Sequence, residues 1–262
     1  MKTRAIPFAL MFLLFFLLNA PAFAQVDGEE PEITEQQTDS NKAEAAPKPK
    51  KSRRNQSDFI TSMLDFGVNT YFYEGGLNLP AGMSTFEQKI GKSINVNWHL
   101  LHHKIGIGSS PFSFDYGISI NWSNYEFENN FRLTPNASEF TAVPSETNFR
   151  KNKLKTTFLE VPVQLVLSPE NSKFYASVGG FGGVLIGSKQ KLKSGEFGKE
   201  NIRNSFNLNK FRYGLVGRLG FGPIGFYAQY SMTEMFRANQ GPELYPFNVG
   251  VTFNPYFYAK KW

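Results

Sequence analysis

The stretch SFDYGISINWSN, residues 113 to 124, changes character at every step: Phe114, Tyr116, Ile118, Ile120 and Trp122 share one parity, and Asp115, Gly117, Ser119, Asn121 and Ser123 the other. Alternation with a period of two marks a β-strand with one apolar and one polar face. In a soluble sandwich the apolar face would look into a core. Here every apolar side chain is large, and the set runs from Phe to Trp, which is equally the pattern of a strand whose outer face meets lipid.

The rest of the chain separates these alternatives. MKTR is a short cationic start, AIPFALMFLLFFLL an apolar run, and Ala22-Phe23-Ala24 the small-x-small pattern that precedes signal cleavage before Gln25. Residues 1–24 are therefore expected to be a cleaved secretory signal; the run is too short for a spanning helix, which needs about 20 apolar residues. Cysteine is absent, which excludes acylation on cysteine, disulfides and thiolate metal sites. Aromatics make up 16% of the chain, led by 27 Phe, yet the mean hydropathy is only -0.33. Abundant aromatics diluted by alternating polar residues fit a transmembrane β-barrel, and no later apolar run approaches helical spanning length. The formal charge of +6 comes with no basic helix, zinc pattern or Gly-rich phosphate loop, so nucleic acid is not expected as a partner.

Residues 25–57 carry few large apolar side chains and divide into an acidic block, QVDGEEPEITEQQTDSNKAEAAP, and a basic one, KPKKSRR. Such a segment buries too little surface to offset its ordering entropy and reads as a disordered periplasmic linker. The basic block is either a solvated spacer or a contact for anionic head groups. From residue 58 to 262 the chain reads as an all-β domain, an antiparallel up-and-down transmembrane barrel of about eight strands. The candidates are 60–73, 90–101, 113–125, 154–167, 173–187, 208–221, 223–234 and 245–256. Connections after the first, third, fifth and seventh are long and polar, whereas those after the second, fourth and sixth are short. Long extracellular loops and short periplasmic turns alternate in this way in outer-membrane barrels, and an even strand count puts both termini on the short-turn side. At about 3.3 Å per residue and a tilt of about 40°, an apolar band about 25 Å tall needs about ten residues, close to the span from Phe114 to Trp122.

Four stretches carry a family resemblance: FLEVPVQL at 158–165, SVGGFGG at 177–183, NKFRYGLVGRLGFG at 209–222 and PFNVGVTF at 246–253. Together they resemble the outer-membrane β-barrel proteins of Bacteroidota related to the PorT secretion component. The resemblance implies an outer-membrane barrel of about eight strands and little about activity. Barrels of this kind usually end on an aromatic that closes the last strand, whereas here Phe253 is followed by NPYFYAKKW.

Candidate chemistry is sparse. The three histidines are His99, placed on the inward parity with Asn95 and Asn97, and His102 and His103, placed in a turn on the short-connection rim. No local pattern supplies a serine, a histidine and an orienting carboxylate, so no catalytic, cofactor or metal residue is assigned. A lipid-modifying hydrolase or acyltransferase remains the alternative function, with a small pore as another. On the inward parity, Asp65, Asp115 and Glu160 face Arg212 and Arg218, with Arg218 expected near Asp65 and Asp115 and Arg212 near Glu160. Charges in so narrow an interior must be paired or solvated, and a closed plug of ion pairs is expected. The segment SKQKLKSGEFGKENIRNS holds Lys189, Lys191, Lys193, Lys199 and Arg203 against two acidic residues. Read as a loop at the extracellular rim, it is either solvated or in contact with lipopolysaccharide phosphates. The expected role is structural, adhesive or accessory to transport and secretion, with outer-membrane lipid, lipopolysaccharide and envelope or secretion proteins as partners.

Overall fold

The computed structural model describes residues 57–254, apart from 75, 109, 135–141, 170, 171 and 197. The signal cleavage residues Ala22, Ala24 and Gln25, the charged linker before residue 57 and the tail after Asn254 lie outside the described residues. Eleven strands follow in order: β1 (Ser57–Phe72), β2 (Ile94–Gly106), β3 (Phe112–Glu126), β4 (Phe131–Leu133), β5 (Ala142–Pro144), β6 (Phe149–Leu167), β7 (Phe174–Ser194), β8 (Lys199–Arg203), β9 (Phe211–Phe221), β10 (Ile224–Ser231) and β11 (Tyr245–Phe253). Eight of them form one antiparallel ring, β1-β2-β3-β6-β7-β9-β10-β11, which closes where β11 pairs with β1 from Leu64↔Phe253 to Phe72↔Tyr245. Closure leaves the ring without an edge, so its backbone polar groups can be satisfied without water.

Solvation is inverted relative to a soluble protein. Phe226 on β10 is 68% exposed, whereas Asp65, Asn95, Ser119 and Asn121 are fully buried. In the barrel strands the outward parity is mostly large and apolar and the inward parity mostly polar, with Phe158, Phe181 and Val216 among the apolar side chains that point in. For β3 this means that Tyr116 and Ile118 are exposed while Asp115, Ser119 and Asn121 are buried. Rings gather toward the two ends of the apolar band: Trp98 stacks on Trp122 at 6.5 Å, and Phe59, His103 and Tyr116 form a second group. Amphipathic aromatics prefer such interfacial positions. The tight turn between β9 and β10 has only Gly222 and Pro223 between the paired Phe221 and Ile224, and Gly222 takes φ 62°, a left-handed conformation that glycine adopts without steric cost.

Besides a register shift between Phe149 and Lys151 at the end of β6, two irregularities within the barrel wall decide what faces inward. Between the pairs Thr61↔Leu101 and Met63↔His99, Ser62 of β1 lies across from Leu100 of β2; Ser62 has φ 63°, and β2 slips by one residue against β3 at the same level. The slip reverses parity, as a bulge must. His102 therefore points inward on β2 beside His99, correcting the expectation that it lies in a turn, and His103 points outward, 2.9 Å from the Tyr116 hydroxyl. The second slip, between the pairs Thr157↔Gly187 and Phe158↔Leu185, leaves Ile186 of β7 as the extra residue. Beyond it, Gln190 and Leu192 are buried, and Lys189, Lys191 and Lys193 face out.

The long connections are not merely polar. Phe86, Phe127, Phe131, Leu133, Phe206, Leu208, Met235, Phe236 and Leu244 join Tyr71, Tyr125 and Leu154 from the strand ends in one buried cluster across that end of the barrel. The small β4-β5 hairpin is pinned to the barrel by Gln190, whose amide nitrogen donates to the Phe131 carbonyl at 3.1 Å and whose oxygen accepts from the Leu133 N–H at 2.9 Å. Arg132 of β4 holds Glu200 of β8 at 2.8 Å through two nitrogen-oxygen contacts. β7 and β8 form a hairpin, so the segment from 188 to 205, expected as a loop, is largely strand: β7 runs on past the barrel and β8 pairs back along it.

Candidate functional site in the barrel interior

All eight ring strands contribute to a polar network that crosses the lumen. Nearer the short turns, Arg218 of β9 donates to Asp65 of β1 at 2.7 Å and to Gln164 of β6 at 2.8 Å. The same Asp65 carboxylate accepts from the Thr252 hydroxyl at 2.5 Å and lies 2.9 Å from His99 Nε2. A carboxylate with three such neighbours is well compensated for the loss of water. His99 Nδ1 lies 2.7 Å from Ser119 Oγ and 3.0 Å from His102 Nε2, and His102 Nδ1 lies 3.0 Å from Asp115. The chain of contacts thus runs Arg218, Asp65, His99, His102, Asp115 across strands β9, β1, β2 and β3.

Gly117 makes this possible. It lies opposite His102 on the inward parity of β3, and a Cβ there would stand 2.4 Å from the imidazole ring and 2.3 Å from the Leu101 carbonyl oxygen. Only glycine leaves room for the histidine to reach Asp115.

Nearer the long connections, Arg212 of β9 bonds Glu160 of β6 at 2.6 and 2.8 Å, with its guanidinium 3.7 Å from the centre of the Phe158 ring. Gln229 of β10 donates to the second Glu160 oxygen at 3.1 Å. Between the two charged layers, Tyr227 donates to Asn95 at 2.9 Å, Asn95 donates to Asn121 at 3.2 Å, and Asn121 donates to Gln229 at 3.3 Å. A cavity of about 50 Å³ on the short-turn side is lined by His102, Asp115, Arg218 and Asn254 among others.

The structure brings together all five charged residues singled out from the sequence, in two groups. Arg218 bonds Asp65 and Arg212 bonds Glu160, whereas Asp115 is taken by His102, which the bulge turns inward. Sequence reasoning missed His102, Ser119, Tyr227, Gln229 and Thr252. The adjacent Leu100 and Leu101, which interrupt the alternation of β2, were the one signal for the bulge. Lys189, Lys191 and Lys193 lie on β7 and Lys199 and Arg203 on β8, outside the lumen.

Ser119, His99 and Asp65 stand in the hydroxyl-imidazole-carboxylate order of an acyl-transfer enzyme. Ser119, however, is fully buried and sits mid-strand between His99 of β2 and Glu160 of β6. No group of three His, Cys, Asp or Glu suited to a metal ion is found among the described residues.

No curated protein matches the chain. A family model, that of the outer membrane protein beta-barrel domain, matches residues 56–237. That span takes in seven of the eight ring strands and every charged residue of the lumen described above, leaving β11 to close the circle. With its polar face bonded inward and its apolar face turned out, the chain belongs to the outer membrane protein beta-barrel domain family.

Proposed function

We propose that this protein is a non-conducting, non-enzymatic scaffold of the outer membrane, accessory to surface adhesion or secretion, with its long connections outside the cell and its short turns and charged linker in the periplasm. The observation that carries the reading is the lumen: two layers of ion pairs cross it, and an aromatic cluster covers one end. An eight-stranded barrel is only just wide enough for its own side chains, so these groups leave no continuous aqueous path of porin width. The resemblance to PorT-related barrels favours a secretion-accessory role within this reading.

Purified protein in a planar bilayer should give no steady current, while a tag after Glu146 should be cut by protease on intact cells and one near Pro47 spared. Stable porin-like currents would replace the scaffold with a pore, and surface exposure of the Pro47 tag would reverse the orientation. The order Ser119, His99, Asp65 favours a second reading, a membrane-embedded acyl hydrolase. Labelling of wild type, but not of Ser119→Ala, by a fluorophosphonate would establish it in place of the scaffold.

A further inference from the structure

The outer face of the β6-β7-β8 sheet above the apolar band is a grid of cations. Across β6 and β7 the directly opposed pairs are Lys151↔Lys193, Lys153↔Lys191 and Lys155↔Lys189. On the other side of β7, Lys189 opposes Arg203 and Lys193 opposes Lys199. Side chains directly opposite in an antiparallel pair have Cβ atoms about 5 Å apart, and like charges there destabilise the sheet. Of these grid cations, Lys153 alone has a carboxylate partner among the described residues, Glu126 at 2.6 Å. Five like-charge oppositions in one patch call for an anion.

What lies beneath the grid identifies the kind of anion. Followed from the short-turn end, the outward parity of β6 is apolar from Leu165 to Leu159, neutral at Thr157 and cationic at Lys155, Lys153 and Lys151. Each step of two residues is about 7 Å, so this order repeats the depth profile of one lipid molecule: acyl chain, neutral linkage, phosphate. At the junction a groove of about 500 Å³ has Trp122 and Ile186 on its apolar side and Lys155, Lys189 and Arg203 on its charged side. A free phosphate would use only the upper half. An acidic peptide would have no need of the wall below.

From this geometry we infer that the groove and lysine grid form a binding site for a phosphorylated glycolipid of the outer leaflet, of the lipopolysaccharide class, with the sugar phosphates on Lys155, Lys189 and Arg203 and an acyl chain along Leu159 and Val161. The inference rests on the proposed orientation, since only that places the grid in the outer leaflet. Sequence alone marked five of these cations but not the three on β6, which lie beside them only because of the pairing across β6 and β7.

Detergent-solubilised protein titrated with bisphosphorylated lipid A tests the site without reference to orientation, which the Glu146 and Pro47 tags read separately. The triple variant Lys155→Gln, Lys189→Gln, Arg203→Gln should bind roughly tenfold or more weakly, the scale of one charge-assisted contact, while Lys173→Gln at the short-turn rim should match wild type. Dephosphorylated lipid A should bind as weakly to wild type as the bisphosphorylated form does to the triple variant. A heat-dependent shift in gel mobility checks that each variant is folded, and wild type itself should lose affinity as salt rises. Unchanged binding by the folded triple variant, salt-independent binding, or equal binding of dephosphorylated lipid A would overturn the site. Equal affinity for phosphatidylglycerol or inorganic phosphate would overturn its assignment to a glycolipid.

Discussion

Replacing Arg218 by alanine tests whether ion pairs hold the lumen. The guanidinium is buried and makes its contacts with Asp65 at 2.7 Å and Gln164 at 2.8 Å. Its loss leaves Asp65 with the Thr252 hydroxyl and His99 but no cation bonded to it. Breaking a buried pair from one side costs about 3 to 5 kcal/mol, because the remaining charge is neither solvated nor paired. With a urea slope of about 2 kcal/mol/M, the unfolding midpoint should fall by roughly 1.5 to 2.5 M. Intrinsic tryptophan fluorescence in detergent reports it, since Trp98 and Trp122 stack on the barrel wall. Adding Asp65→Asn to the Arg218 variant removes the orphaned charge and should recover much of the loss, so the double variant should be more stable than the Arg218 single one. If the single variant unfolds within about 0.3 M of wild type, far short of the expected fall, the ion pair does not hold the barrel and the reasoning fails.

Three further perturbations follow from the same geometry. Ile118→Arg, on the lipid face near the middle of β3, should cost about 2 to 4 kcal/mol in refolding into vesicles, whereas photolabelling from the bilayer should reach single cysteines at 114, 116 and 118 but not at 115, 117 and 119. Gly117→Ala should cost about 1 to 3 kcal/mol by overpacking against His102, read as a lower midpoint in the same urea assay; an unchanged midpoint would show that the histidine does not occupy that space. Glu200, outside the membrane band, has its carboxyl held below the ordinary range, first by the hydrogen bond from Arg132. Its contribution to the cap is therefore complete above the ordinary carboxylate value and disappears as pH falls through the lowered one. Both side chains are more than a third exposed, so the difference between wild type and Glu200→Gln should be small at neutral pH, shrink further in salt, and vanish in acid.

The ring was legible because a barrel strand facing lipid writes its two faces into alternate letters, and β3 or β6 can be read off residue by residue. The charged lumen followed from the same parity: Arg218 with Asp65 and Arg212 with Glu160 needed only strand direction and approximate depth. What escaped was set by single inserted residues. One extra residue at Leu100 brings His102 inward, and one at Ile186 turns three lysines outward; neither changes composition, and only a pair of adjacent apolar letters in β2 betrays the first. The cap escaped for another reason. Phe127, Phe131 and Phe236 are scattered through segments rich in Asn, Ser and Glu, and their common neighbourhood exists only in three dimensions.

That cap constrains the order in which the molecule can assemble. Its core draws on four connections, including Met235, Phe236 and Leu244 from the one between β10 and β11, the last strand of the ring to be synthesised. Contacts among them reach across as many as 150 residues, from Phe86 to Phe236, and distant contacts form late because the chain entropy they consume is recovered only once the intervening strands are in place. Until β11 meets β1, four aromatic-bearing segments stand open at once, each able to associate with a neighbouring chain as readily as with its own. The barrel must therefore close quickly or be escorted, and the same phenylalanines that finish the fold are its main hazard on the way there.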